Sequence, residues 1–392
     1  MTEKLTITPV ETAKERTEFI HFQWEVYKDD PYWVPPLLSE REEFLNPVHG
    51  HPFHRHATVR YFMARRNGRP VGRIAALINE NHNLHWNERV GFFGLYEVLD
   101  DREASDALLE AAEAFVRQQG MSAIRGPMNF STNEECGLLV DGWNGPPLAM
   151  MTYNPRYYVD LIEEAGYVKA MDLLAYLTDL TQYKLDGTGI NPKLRHVAEK
   201  VRERTNATVR PFNFKNFDAE AERFKQIYNA AWAKNWGFVP LTEAELDAEI
   251  RSLKPIIDPA TIFFAEKEGQ TIGAMLPLPD LNQALIRAYP RPGVPEWWTM
   301  AKMLYWWKVR GVVTTIRAFA GGFIEEYRGL GLDALLAMAC LEAVIRRGYR
   351  LMETSWILEN NIPMRQMAEI LDGKVYRTYR IYEKALKIKE NL

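Results

Sequence analysis

The chain has 392 residues, of which 47% are hydrophobic and 26% charged, with a formal net charge of -4 and a pI near 6.1. That length exceeds one ordinary core, so two domains are expected, and the mild acidity argues against a nucleic-acid partner. Cys136 and Cys340 supply no disulfide framework, Met1 to Leu5 lack an apolar signal core, and Leu332–Ile345, interrupted by Asp333 and Glu342, is too short to span a bilayer. A reducing, cytoplasmic location follows as the expectation, with contact at a membrane face left open.

Residues 5–10 read as a short strand, and Phe19, Ile20, Phe22, Val26 and Tyr27 give 12–28 a helical pattern. Asp30-Pro31 breaks that pattern, Tyr32 to Pro36 is an extended aromatic connection, and Ser39–Leu45 is a short helix. Residues 57–64 and 70–78 flank Asn67-Gly68 as a β-hairpin. A strand at Val90–Val98 precedes a helix from Asp101 to Gln119 that Gly120 ends. After a strand at 123–126 comes a polar, Gly/Pro-rich stretch to Pro147, then a helix at 155–165 and a strand at 168–178. Lys184 to Asn191 reads as the linker, dividing the chain into domains at 1–183 and 190–388.

The second half repeats this order. Phe238-Val239-Pro240 echoes Trp33-Val34-Pro35, the hairpin 264–273 echoes 63–72, and Asp333 to Leu336 echoes Asp106 to Leu109. Asn361 and Gly373 echo Asn154 and Gly166. A shared order of matches indicates an internal duplication. Each half carries one insertion the other lacks: 129–158 in the first, and a stretch before the glycine turn in the second.

That turn, Phe323 to Leu336, joins an apolar strand (Val312 to Phe319) to a long apolar helix. A strand, a glycine turn and a helix together aim backbone N–H groups and a positive helix end at an anion. Gly329 and Gly331 allow close backbone approach, and Arg328 adds a cation. In the first half Asp101 to Asp106 replaces the glycines, placing acids where phosphates would sit.

The turn resembles the acyl-CoA pyrophosphate loop of the GNAT N-acyltransferases, Q/R-x-x-G-x-G/A, with Arg328, Gly331 and Asp333 at its fixed positions. Asp therefore stands where the family has a small residue. The strand Leu351–Leu358, Glu359-Asn360-Asn361 with its helix, and the strand Val375–Leu386 follow in GNAT order. The whole chain also resembles a bacterial tandem-GNAT group that includes ceramide synthases, through Gly126 to Leu139 and Tyr153 to Tyr158. The resemblance implies two tandem GNAT-like α/β (α+β) domains, each a mixed, mostly antiparallel sheet flanked by helices. One acyl-CoA is expected per chain, in the second half. Its contacts would come from Gly321, Gly322, Phe323, Ile324, Arg328, Gly329, Leu330, Gly331, Leu332, Asp333 and Asn361. Adjacent glycines 321 and 322 suit a bulge that frees an N–H for an oxyanion.

N-acyl transfer also needs a base for the amine and an acid for the thiolate. Glu353, with Ser355 on the same strand face, and Glu134 are the base candidates, while Glu325 and Glu326 read as solvated. The helix position at which many GNAT enzymes carry an acidic Tyr is Ala368 here, so Tyr157 and Tyr376 stand in by residue type. Tyr158 and Tyr379 share that type. Asn129, Asn133, Glu135, Asp141, Asn144, Tyr153 and Tyr158 could line an acceptor pocket, or could serve only their own loop.

The second insertion, Pro295 to Lys308, holds four Trp and begins with a helix-starting Pro. Such a helix must be buried, cap an acyl tunnel, or lie at a lipid interface with Lys302, Lys308 and Arg310 toward headgroups. It favours a long acyl chain. His49, His51, His54 and His56 follow no metal-ligand spacing, and no metal is expected. Three classes stay open: an acyl-CoA-dependent N-acyltransferase acting on a lipid or small amine, a GNAT-fold aminoacyl-transfer enzyme, and a non-catalytic acyl-CoA binder.

Overall fold

The computed structural model describes residues 4–387; residue 388, the expected end of the second domain, lies outside the described residues. The first half runs β1 (Leu5–Pro9), α1 (Ala13–His21), α2 (Gln23–Val26), α3 (Leu38–Leu45), β2 (Ala57–Arg66), β3 (Arg69–Asn79) and α4 (Glu80–Trp86). It continues through β4 (Val90–Val98), α5 (Arg102–Gln118), β5 (Ala123–Gly126), β6 (Leu138–Asp141), α6 (Tyr157–Glu164) and β7 (Val168–Asp179). The second half opens with α7 (Pro192–Thr205), β8 (Thr208–Pro211), α8 (Phe217–Trp232), α9 (Glu243–Leu253), β9 (Phe263–Lys267) and β10 (Gln270–Pro279). α10 (Asn282–Ala288) follows, and the Trp-rich insertion forms α11 (Glu296–Leu304). The chain ends with β11 (Thr315–Phe323), α12 (Leu332–Arg346), β12 (Leu351–Leu358), α13 (Ile362–Ile370) and β13 (Lys374–Ala385).

Two compact units result, each discontinuous in sequence. Unit 1 contains 1–172, 282–309 and 379–392, and unit 2 contains 173–281 and 310–378. The units and the halves 1–183 and 190–388 are therefore different divisions of the chain. Within unit 1 the strand order is β1-β2-β3-β4-β5-β13, and within unit 2 it is β7-β12-β11-β10-β9-β8. Each half thus ends on a strand that completes the other unit's sheet: Tyr382–Ala385 pairs with Gly126–Ala123, and Leu173–Asp179 pairs with Leu358–Leu351.

The same plan appears in both. A hairpin leads to a long strand, a helix covers that strand, and the next strand returns parallel: β4 with β5 in unit 1, β11 with β12 in unit 2. A parallel return requires the crossover helix, α5 or α12. α5 buries one stripe (Leu108, Leu109, Ala112, Val116) in unit 1's core. α12 is apolar almost all round, and Leu335, Leu336, Leu341 and Val344 lie in unit 2's core beside α7. Each fully buried Leu or Val contributes about 1.5–3 kcal/mol of apolar transfer.

β11 and β12 pair only from Thr315–Ala318 with Leu351–Thr354. Beyond that point β11 continues to Phe323, and among the described residues no strand covers the edge that β12 has left. The bulge lies here as well, but not at the two glycines. The β10–β11 register jumps between Leu276/Ala320 and Pro277/Ala318, so Phe319 is the extra residue, while Gly321 and Gly322 pair regularly with Met275 and Ala274. Gly322 is small for another reason: a Cβ there would come within 3.1 Å of Ala231 Cβ at the end of α8. Gly322 admits the helix, and the bulge sits at an aromatic.

Candidate active site

Gly329 and Gly331 have φ of +70 and +79, a backbone region L-residues rarely adopt, so the turn selects glycine at both. Gly331 is the N-cap of α12 and supplies no side chain to the first-turn amides. Their positive end faces outward over Gly329, where a built Cβ meets nothing within 4 Å. In unit 1 the corresponding helix end is closed. Asp101 caps α5 by accepting from Ala104 N at 3.1 Å, and Arg66 clamps Asp101 at 2.9–3.1 Å and Glu103 at 2.7 Å. One helix end is open for an anion, and the other is neutralised from within.

Arg328 does not point into this opening. It donates from Nε to Phe323 O (3.1 Å) and from Nη2 to Ala230 O (3.1 Å) and Ala231 O, holding the turn against the end of α8. A cation that reaches the glycine segment from elsewhere is Arg204 of α7, whose Nη2 donates to Leu330 O at 3.0 Å. It is exposed, and its guanidinium has further donors beyond that one bond. No signal short of the fold joins Arg204 to Leu330. Of the remaining expected cofactor contacts, Phe323 and Leu332 are core side chains, which leaves only their backbone for a ligand. Ile324 N donates to Ile272 O, Asp333 is half-buried in the first turn, and Asn361 caps α13 by accepting from Met364 N at 3.3 Å. Glu325 pairs with Lys234, and Glu326 is exposed, as solvated acids would be.

Where β11 and β12 part, Glu353 and Tyr376 come together. Glu353 is 0% exposed; its Oε1 accepts from Ser355 Oγ and its Oε2 from the hydroxyl of half-buried Tyr376. Arg317, opposite Glu353 in the parallel register, donates from Nε to Ser355 Oγ at 2.9 Å and lies 4.0 Å from Glu353 Oε1. Burial pushes the Glu353 carboxyl above the ordinary 4.5, partly offset by Arg317, Ser355 and Arg377. A buried carboxylate with raised proton affinity thus sits behind a tyrosine whose ring reaches solvent. Arg317 was missed by motif reasoning, although a lone charge within an apolar strand is itself a signal, since burial demands a partner. Ala368 is buried in α13, so no tyrosine occupies that position.

The other expected residues lie in unit 1. Tyr157 donates to Val98 O at 2.8 Å, Glu134 lies 3.5 Å from His51 Nε2, and Asp141 is exposed at the end of β6. Asn129 accepts from Leu95 N (2.8 Å) and donates to Glu135 (3.3 Å), which Arg41 also contacts at 3.3 Å. Asn133 donates to Ser131, and Tyr153 donates to Asp30 Oδ2 at 2.9 Å. Tyr158 is fully buried: it donates to Glu97 (2.9 Å) and accepts from Val98 N (2.8 Å), which removes it from any open pocket. Tyr379 is likewise 0% exposed. Glu97, raised by burial, gathers Tyr27 (2.8 Å), Gln23 (2.9 Å) and Arg73 (3.8 Å) into a hub that the sequence reading did not single out. Two of the four histidines stitch their own loop: His51 Nδ1 accepts from Phe53 N, and His54 Nε2 bonds Phe44 O. Among the described residues no three His, Cys, Asp or Glu side chains converge as metal ligands.

The Trp-rich insertion packs in unit 1 through buried Thr299 and Met303 and leaves its other face exposed. Ser39 binds Glu296, and Trp24 Nε1 donates to Pro290 O at 2.9 Å, yet Trp297 is 70% exposed and Val309 72%. Trp298, Leu304 and Tyr305 are exposed beside them, and Lys308 stacks on Trp307. Among the described residues no helix is long and apolar enough to cross a membrane.

No family model matches the chain. It is 37% identical over 386 residues to a protein of Caulobacter vibrioides named bacterial ceramide synthase, covering 97% of this chain and 98% of that one. It is 36% identical over 375 residues to Protein YghO of Escherichia coli K12, covering 94% and 92%. Among solved structures it is similar to a tandem GNAT protein from the clavulanic acid biosynthesis pathway, with a TM-score of 0.56 and 14% identity over 97% of this chain and 98% of that one. A GCN5-related N-acetyltransferase from Sphaerobacter thermophilus gives a TM-score of 0.50 at 14% identity, covering 97% and 95%. Those two likenesses concern the fold.

Proposed function

The chain belongs to the tandem-GNAT family of N-acyltransferases that includes the Caulobacter ceramide synthase, and from that premise we propose that it moves a long acyl group from a CoA thioester to a sphingoid-type primary amine. The observation that carries the cofactor half of this reading is the open end of α12 between two positive-φ glycines, set against the self-capped end of α5. The amides of Leu332 and Asp333, the Gly329–Gly331 backbone and Arg204 would bind the pyrophosphate. The uncovered edge of β11 after Ala318 would take the pantetheine and present an N–H to the developing oxyanion.

Proton transfer falls to Tyr376 and Glu353. As the amine attacks the thioester carbonyl, the C–N bond forms and the nitrogen must lose a proton. The Tyr376 oxygen accepts it while its own hydrogen passes to Glu353, whose buried carboxylate holds protons strongly. When the C–S bond breaks, the same path returns the proton to the thiolate, so amide and free CoA leave with nothing else consumed. Arg317 keeps Glu353 compatible with burial. The exposed Trp297, Trp298, Leu304 and Tyr305 face, with Lys308, would rest on an anionic lipid surface, where membrane-borne acceptors reside.

The test is CoA release and product mass with acetyl- and palmitoyl-CoA, each against sphinganine and a small primary amine. Turnover confined to the small amine would replace the lipid acceptor with a soluble one. Absence of both CoA release and any thermal shift with thioesters would overturn the reading.

A further inference from the structure

Between α8, α9 and strands β10 and β11, unit 2 holds an apolar pocket that is partly open to solvent. Its walls include Phe224, Tyr228, Leu246, Leu253, Leu276 and Phe319. Of its two charged lining residues, Lys254 stands over the Phe217 ring at 4.2 Å and Glu249 belongs to α9. A lining so dominated by carbon suits a hydrocarbon and offers little to a hydroxylated headgroup.

We infer that this cavity receives the acyl chain of the thioester, an inference that rests on the acyl-transfer reading above. The link is Phe319. It is the bulged residue of β11, at the point where β12 departs, and it forms part of the cavity wall. Its ring lies 5.4 Å from the Arg317 guanidinium, which in turn contacts Ser355 and Glu353. The bulge therefore turns an aromatic wall toward the α8–α9 layer next to the residues proposed to move protons. A thioester lying along the β11 edge has its carbonyl at that junction and its chain directed at the cavity. The acceptor's alkyl chain is the competing occupant. It enters with an amine and hydroxyls at its head, for which this wall offers only Tyr228, Glu249 and Lys254 among side chains that are otherwise apolar.

Ala221 and Leu246 line the cavity from α8 and α9, and neither is among the residues proposed to move protons. The experiment uses Ala221→Phe and Leu246→Trp separately, each checked for a native melting transition, so that one misfolded variant does not end the test. Binding of palmitoyl-CoA (below its micelle threshold) and of CoA is measured by calorimetry, and kcat/KM is measured for acetyl- and palmitoyl-CoA at saturating amine. The wild type is expected to bind palmitoyl-CoA at least tenfold more tightly than CoA. In each folded variant that preference, and the palmitoyl-to-acetyl ratio of kcat/KM, should fall by about tenfold or more. Equal binding of CoA and palmitoyl-CoA by the wild type would overturn the inference. So would unchanged ratios in the variants, or an effect confined to the KM of a long-chain amine. Failure of the wild type to bind any thioester is a different result and removes the acyl-CoA reading itself.

Discussion

Replacing Gly329 with Ala separates the phosphate cradle from the fold. The substitution adds one methyl at φ +70, where no protein atom lies within 4 Å. The structural cost is therefore the left-handed backbone alone, about 1–2 kcal/mol for an L-residue. The unfolded chain also loses freedom, and Ala recovers about 0.4–1 kcal/mol on that side. A net loss near 1 kcal/mol should lower the midpoint of a unit of this size by about 2–4 °C. The same methyl intrudes on the mouth of the α12 amides, and a single displaced charge-assisted contact of about 1.4 kcal/mol is a tenfold loss of affinity. Gly331→Ala is the control. It has the same backbone strain at φ +79, but its Cβ would stand 3.0 Å from Val201 Cγ2, so stability should fall further. Calorimetric titration with CoA beside thermal unfolding reads both quantities. If Gly329→Ala shows the small stability loss and binds CoA as the wild type does, the open turn is only a connection and the cradle argument is wrong.

Arg204→Ala should weaken CoA binding severalfold at unchanged melting temperature, whereas Arg328→Ala should lower the melting temperature by freeing three carbonyls; titration and unfolding of both variants would show whether those roles are reversed. Tyr376→Phe should reduce kcat by about 10²–10⁴ with little change in thioester KM, and a rate within threefold of wild type would remove Tyr376 from the proton path. Because burial raises the Glu353 pKa, the folded state holds this proton more tightly than the unfolded state. Its stabilising contribution is full below pH 4.5 and declines as pH rises from there through the raised value. Glu353→Gln should flatten that slope in pH-dependent denaturant titrations, and an identical slope would place the titration elsewhere. Trp297→Ala combined with Trp298→Ala should cut sedimentation with phosphatidylglycerol vesicles about tenfold at unchanged melting temperature, since both rings are already exposed; equal sedimentation of variant and wild type, or equal binding to phosphatidylcholine, would remove the anionic-surface role.

Local chemistry was legible from the residues themselves. Asn67-Gly68 closed a hairpin, Gly329 and Gly331 marked a close turn before a helix, and Asp101 to Asp106 placed acids at the matching turn of the first half. Each depends on neighbours only a few residues away. The bulge was misplaced because a glycine pair signals tolerance of odd backbone, whereas strand register decides where the extra residue falls. Arg328 was assigned to a phosphate because motif position says nothing about which carbonyls a guanidinium meets first.

By itself the sequence determined the main strands of the first half, the duplication, and the asymmetry between a glycine turn in one half and acids in the other, since these follow from periodicity and short-range turn chemistry. Only the tertiary structure decided that the halves end on strands in each other's units, and that Arg204 meets Leu330. It alone brought Tyr376 onto Glu353 and left one face of the Trp-rich helix exposed. The first three join residues separated in the chain, and such pairings are set by sheet register and by competition for buried area, which no local window contains.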